Sequence, residues 1–193
     1  MGVPMASVVT VFASAGAAIA LAVQGSFSNL MAGVMLLIFK PISVGEFIKV
    51  GDVSGNVCEV GIFYTKLKTT DNLTITIPNS TLTGSTITNY SREELRRVDI
   101  TLDVSYDSDV EEVKKTILSV IDKNDKALKT PEPYARLSAM KDSSLEFTVR
   151  AWCKSENYFA LKSDLLEQCG DEFNKAGIVI PYNQLDIHIK DKG

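Results

Sequence analysis

Residues 1–39 contain no Asp, Glu, Lys, Arg or His. No other stretch of the chain constrains the fold as strongly. An uncharged run of this length belongs in a membrane, but it is no secretory signal. It lacks a basic start and continues far beyond a signal's short apolar region. It is also too long for one straight crossing. At ~1.5 Å per residue a helix over the whole run reaches about 58 Å, roughly twice the hydrocarbon core of a bilayer. The sequence therefore predicts a membrane helix that bends.

Gln24 and Gly25 are the predicted bend, because Gly weakens a helix interior by about 1 kcal/mol relative to Ala and is a natural kink site. Before it, residues 13–22 read ASAGAAIALA, of which all but Ile19 and Leu21 are Ala, Gly or Ser. Lipid-facing helices favour larger aliphatic side chains, whereas small residues let helix backbones approach closely. This half calls for other helices around it: further copies of itself, or helices from outside the chain. A lone, weakly hydrophobic anchor is the alternative. After the bend, Phe27, Leu30, Met31, Val34 and Ile38 recur at helical spacing and predict a short amphipathic segment. Lys40 and Pro41 end it, and Lys40 and Lys49 favour a cytoplasmic exit.

The charge lies elsewhere. Residues 40–91 hold four acids and four bases, and residues 92–193 hold 20 acids and 16 bases, which accounts for the net charge of -4. This pattern fits a folded module attached to a membrane, and its mild acidity disfavours nucleic acid as a partner. Cys58, Cys153 and Cys169 are odd in number and far apart, so they read as buried thiols in a reducing compartment and not as a disulfide framework. The Asn72, Asn79 and Asn89 sequons read as chance matches in a sequence rich in Thr and Asn. Catalysis and metal binding find no support. His188 is the only histidine, no metal-ligand or phosphate-loop motif occurs, and the acids of YDSDVEE suit a helix start better than a cation. No catalytic residue, metal or cofactor is expected.

Residues 45–90 predict a small antiparallel β fold. EFIKV, GNVCEV, FYTKLKT and LTITIP are short β-branched runs, with turns expected at Gly51-Asp52, Ser54-Gly55 and Asp71-Asn72. Five short strands in the space of residues 45–90 suit a closed or nearly closed sheet. Residues 95–190 alternate differently. RRVDITLDVSY is a strand candidate. Ser108 and Glu111 suggest a capping box for a helix with Val110, Val113, Ile117 and Val120 on its apolar face. YARLSAM and SLEFTVRAWC predict two strands. A second helix follows, with Leu161, Leu165, Cys169 and Phe173 on one stripe and Gly177 as its C-cap. With IVI as a last strand, the order β-α-β-β-α-β is ferredoxin-like.

Several stretches together carry a resemblance: LAVQGSFSNLMAGVMLLIFKPISVGEFIKVGDVSGNV, then IPNS, NYSRE, VSYDSD and IPYNQLDIHI. In this order they resemble the small-conductance mechanosensitive channel family of bacteria, from the pore-lining helix to the C-terminus. The resemblance implies a pore helix over 1–39 with a bend near 24–25. It implies a small Sm-like all-β domain over 40–91, an α+β ferredoxin-like domain over 92–181, and a C-terminal strand at 182–193 for an oligomeric barrel. It implies a homo-heptamer in the bacterial inner membrane, with cytoplasmic C-terminal domains, that opens under membrane tension and releases ions and small solutes during hypoosmotic shock. Membrane lipids and the permeating ions and solutes are then its partners. Leu21 matches the inner of two leucine rings that narrow the family's pore, while Ala17 stands at the outer position. Gln24 and Gly25 match the bend, and Gly33 matches a second hinge glycine. Members carry two further transmembrane helices before this one, so the resemblance implies a shortened or partial form. A pore of this fold with another stimulus and a non-conducting anchored scaffold are the alternatives. Voltage is disfavoured as that stimulus because residues 1–39 carry no gating charge.

Overall fold

In the computed structural model, which describes residues 4–187, the chain divides after Arg92 into two compact units. The first begins with α1, Met5–Phe39, a helix of 35 residues. It forms because the run is rich in Ala and Leu and has no Pro after Pro4. It ends where Lys40 turns into the left-handed region (φ 45°) and donates its N–H to the Leu36 carbonyl, with Pro41 next. The helical assignment passes through Gln24 and Gly25 without a break.

The rest of this unit is a sheet of five strands: β1 Phe47–Val50, β2 Val53–Val60, β3 Tyr64–Lys68, β4 Thr74–Pro78 and β5 Ile87–Asn89. The short helix α2, Asn79–Thr83, lies between β4 and β5. All pairings are antiparallel, in the order β4-β3-β2-β1-β5. Among the described residues β4 and β5 do not pair, so the sheet is open within one chain. The Gly51-Asp52 and Asp71-Asn72 turns stand where expected, Gly51 and Asn72 both having positive φ. Ser54-Gly55 is not a turn. Both residues pair with β1, and Gly55 is needed because a Cβ there would lie 2.7 Å from the Lys68 carbonyl oxygen. Leu36 of α1 closes the core formed by Ile42, Ile48, Val50, Val57, Leu67, Ile77 and Leu82.

The second unit packs two helices on one face of a three-stranded sheet. Its strands are β6 Leu95–Val104, β7 Tyr134–Met140 and β8 Leu145–Lys154, ordered β6-β8-β7. The helices are α3, Val110–Lys123, and α4, Tyr158–Ala176. Strict alternation in β8 buries Leu145, Phe147, Val149, Ala151 and Cys153 against them. Leu161, Leu165, Cys169 and Phe173 of α4 are all buried as predicted, and Gly177 (φ 73°) caps the helix. On α3 the cap is Asp109, not Ser108. Its carboxylate accepts from the N–H groups of Glu111 and Glu112. The buried face is Val113, Ile117, Val120 and Ile121, with Val110 only partly covered.

The ferredoxin-like order lacks its closing strand among the described residues. After α4 the chain makes one backbone bond to the end of β6, Ser105 N–H to the Val179 carbonyl (2.8 Å), and forms no ladder. Tyr182, Leu185 and Ile187 are exposed. His188 and the end of the expected C-terminal strand lie outside the described residues.

Of the three thiols only two are buried. Cys58 is exposed because alternation along β2 buries Gly55 and Val57 and turns Asn56 and Cys58 outward, at a register shift between Val57 and Glu59. Burial pushes the Cys169 thiol up to about 11, and burial also raises Cys153. A neutral thiol is a poor nucleophile. Alkylation of the folded protein at pH 7 will therefore label Cys58 alone, with Cys153 and Cys169 reacting only after denaturation. Mass spectrometry of the labelled peptides reads this directly, and labelled Cys169 in the native protein would contradict it.

Candidate functional site

Helix α1 has two halves that differ in what they touch. Every described residue before position 29 is exposed, including Ala17, Leu21, Gln24 and Gly25. Leu21 is 72% exposed, and a Cβ added at Gly16 or Gly25 would meet nothing within 4 Å. This half has the length and apolar character to cross a membrane, and none of it is buried in the chain. Its small residues therefore do not serve packing within one chain.

The second half docks on the β unit by residues that lie between those of its apolar stripe. Phe27, Met31, Val34 and Ile38 remain exposed. The docked face is Asn29, Ala32, Gly33 and Leu36, with Asn29 half-buried and the other three buried. The reason is distance. At Gly33 the helix comes so close that an added Cβ would sit 2.0 Å from the Ile62 carbonyl oxygen and 2.6 Å from Asn79 Nδ2. Bulky apolar side chains cannot be the docking face at that separation, and they are left facing outward.

Asn29 gives the contact its polar register. The α2 N-terminus has Pro78 at its cap position, with no side-chain cap of its own. Asn29 Oδ1 supplies what is missing, accepting from Ser80 N–H (2.9 Å) and from Ser80 Oγ (2.8 Å). The Asn29 amide also donates to the Gly25 carbonyl one turn earlier (2.9 Å). Beneath it, Asn79 is fully buried and fully bonded. Its Nδ2 donates to the Gly61 and Ile62 carbonyls, and its Oδ1 accepts from Thr65 Oγ1, each at 2.9 Å. The Ile62 carbonyl that limits the approach at Gly33 is thus held in place by Asn79.

Of the residues singled out in the sequence, Gly33 alone belongs to this contact. Ala17, Leu21, Gln24 and Gly25 lie on the free half. Asn29, Asn79 and Ser80 were missed as site residues. Asn79 was read as a chance sequon, and the signal available was the IPNS stretch itself, which carried the resemblance but was given no role of its own. Among the described residues no group of acids, histidines or cysteines could hold a metal ion.

This arrangement of an uncovered apolar half-helix, a docked half-helix, an open β sheet and a βαββα unit has close counterparts. Residues 25–92 match the model of the mechanosensitive ion channel β-domain, and residues 98–180 match that of the MscS C-terminal domain. An MscS family protein of Buchnera aphidicola is 40% identical over all of this chain and 63% of its own length. The small-conductance mechanosensitive channel of Edwardsiella ictaluri is 41% identical over 91% of this chain and 62% of its own. The chain thus spans just under two thirds of these two curated relatives. The crystal structure of Helicobacter pylori MscS in its closed state superposes with a TM-score of 0.94 at 34% identity, covering 99% of this chain and 76% of that one. Sequence and fold agree from the free helix to the end of the second unit, and the chain belongs to the MscS family of mechanosensitive ion channels.

Proposed function

We propose that the protein carrying this chain is a channel opened by membrane tension, with α1 as its pore-lining helix. The carrying observation is the free half of α1: charge-free, lined with small residues and touching nothing in its own chain. Such a surface calls for other helices around it, and the family likeness favours copies of itself in a ring of seven. Tension does work on in-plane area, so it favours the state that occupies more of it, as a ligand favours the state it binds better. Leu21, with Ala17 one turn before it, forms an apolar constriction that holds the pore dry when narrow. Gln24-Gly25, which the described helix crosses without a break, is the flexure between the free and docked halves on gating, and Gly33 is the second. Likeness to the closed-state structure of the Helicobacter pylori relative supports a closed reading of the conformation described. The sheet units lie on the cytoplasmic side of a bacterial inner membrane, and opening releases ions and small solutes in hypoosmotic shock.

Recording from the full-length protein in liposomes under suction tests the reading. Discrete current steps will appear above a threshold suction and vanish on release. Silent patches from vesicles shown to contain the protein overturn it in favour of a non-conducting anchor. Current that ignores suction overturns the tension step alone. Native mass spectrometry in detergent will give a heptamer, and a stable monomer or dimer contradicts the ring.

A further inference from the structure

The chain enters the β unit through residues 40–46 and leaves it through residues 89–92, and one ion pair joins the two crossings. Glu46 sits at the start of β1. Its Oε2 accepts from Ser43 N–H (2.8 Å) and Asn89 Nδ2 (2.7 Å). Arg92, the last residue of the first unit, donates from Nε and Nη2 to Glu46 Oε1 (3.2 and 3.0 Å). The same Nη2 donates to the Lys40 carbonyl at 3.1 Å. Lys40 is the left-handed residue that ends α1.

The departing segment is wrapped onto β1 as well. Phe47 N–H donates to Ser91 Oγ and Tyr90 N–H donates to the Phe47 carbonyl, both at 2.9 Å. Asn89 Oδ1 accepts from the N–H groups of Ser91 and Arg92, both at 3.0 Å. Glu46 is only 18% exposed in its side chain. Burial alone would raise its pKa, but the bonds from Ser43, Arg92 and Asn89 outweigh burial and hold it below its ordinary value. The carboxylate is therefore charged at neutral pH and the pair is intact there. Non-glycine residues at positive φ persist where their surroundings hold them, and the guanidinium bond to the Lys40 carbonyl is such a restraint.

We infer that the Glu46–Arg92 pair is a positioning tie that fixes the end of the pore helix to the segment leading into the second unit. A displacement of α1 at Lys40 then reaches Arg92 through one side chain, without straining the 51 intervening residues of the β unit. The tie rests on the channel reading above. In the closed conformation it restrains α1, so its loss favours opening.

The test uses the full-length protein with Arg92→Ala, Glu46→Gln and Arg92→Lys. Lysine keeps the charge but lacks the planar fork that reaches a carboxylate and a carbonyl together. Two readouts are taken: backbone hydrogen exchange in detergent, and open probability at a fixed tension below the wild-type midpoint. In all three variants amides of residues 40–46 and 89–92 will exchange faster while those of β2 and β3 stay protected. Open probability will rise tenfold or more, since about tenfold is expected for losing one charge-assisted hydrogen bond and every subunit of the ring loses it. The double variant Glu46→Gln with Arg92→Lys will add little to either single one. Faster exchange with wild-type gating overturns the tie as a gating element. Arg92→Lys behaving as wild type in both readouts overturns the bridging role. If Arg92→Ala fails to assemble, Arg92→Lys carries the same test. A wild-type protein silent under suction, with exchange still changed in the variants, removes the channel reading and not the structural tie.

Discussion

Gly33→Ala will release α1 from the β unit. The new methyl would lie 2.0 Å from the Ile62 carbonyl oxygen, 2.8 Å from its carbon and 2.6 Å from Asn79 Nδ2. The first two are backbone atoms, and Asn79 clamps that carbonyl with a bond of its own, so no flexible side chain can move aside. Overpacking a well-filled contact costs about 1–3 kcal/mol and sometimes more. Ala gains about 1 kcal/mol over Gly in a helix interior, which offsets only part of that. Relief must come from a shift of the whole helix, which would part Asn29 from Ser80 and lift Leu36 out of the core it closes. Gly25→Ala is the control. It gains the same helix propensity and meets nothing within 4 Å. Hydrogen exchange at Ser80 and thermal unfolding in detergent read the difference. Gly33→Ala should expose the Ser80 amide and lower the melting temperature by several degrees, while Gly25→Ala should do neither. A Gly33→Ala protein as stable and as protected as wild type would mean that the close approach is not maintained in solution.

That contrast also marks where the sequence was legible. Periodicity identifies elements whose burial is decided by area. The four-residue stripe of α4 and the alternation of β8 were readable because large apolar side chains there meet a broad core. On α1 it marks an apolar stripe but not the contact with the β unit, which is decided by closeness. A helix lying against backbone buries Ala32 and Gly33 and leaves Phe27 and Met31 outside, the reverse of what hydrophobicity ranks. Polar hubs were missed for a related reason. Asn79 looks like a turn residue because Asn prefers turns, and only the fold reveals that three backbone or hydroxyl partners converge on it. The capping error at α3 was one residue wide, since Ser108 and Asp109 are both good caps and local sequence does not decide between them. The fourth strand of the second unit was predicted from the β-branched run IVI, but residues 178–180 make a single backbone bond towards the sheet, to Ser105 just past β6, and form no ladder. The constriction came from family resemblance alone, because a half-helix with no contacts in its own chain holds no packing information about its neighbours.

That same isolation makes the constriction unusually testable. Leu21 is 72% exposed, so replacing it removes no contact within the chain and cannot unfold the β unit or the second unit. Any effect must arise from neighbouring copies, lipid or water. On the proposed pore stripe Leu21 is the only large side chain, with Ala17 one turn before and Gly25 one turn after. A single apolar ring is then the main barrier to wetting. Serine removes most of that apolar surface and adds a hydroxyl that hydrogen-bonds water, so a narrow dry constriction will fill more easily. Leu21→Ser is expected to open at lower tension or leak at rest, and to slow growth of cells that express it. Ala17→Leu is expected to act oppositely, supplying a second ring and raising the tension needed to open. If Leu21 instead packs between adjacent helices, Leu21→Ser will lose subunits in native mass spectrometry while the remaining channels keep their threshold. An intact heptamer with wild-type threshold and no resting leak would take Leu21 out of the gate altogether.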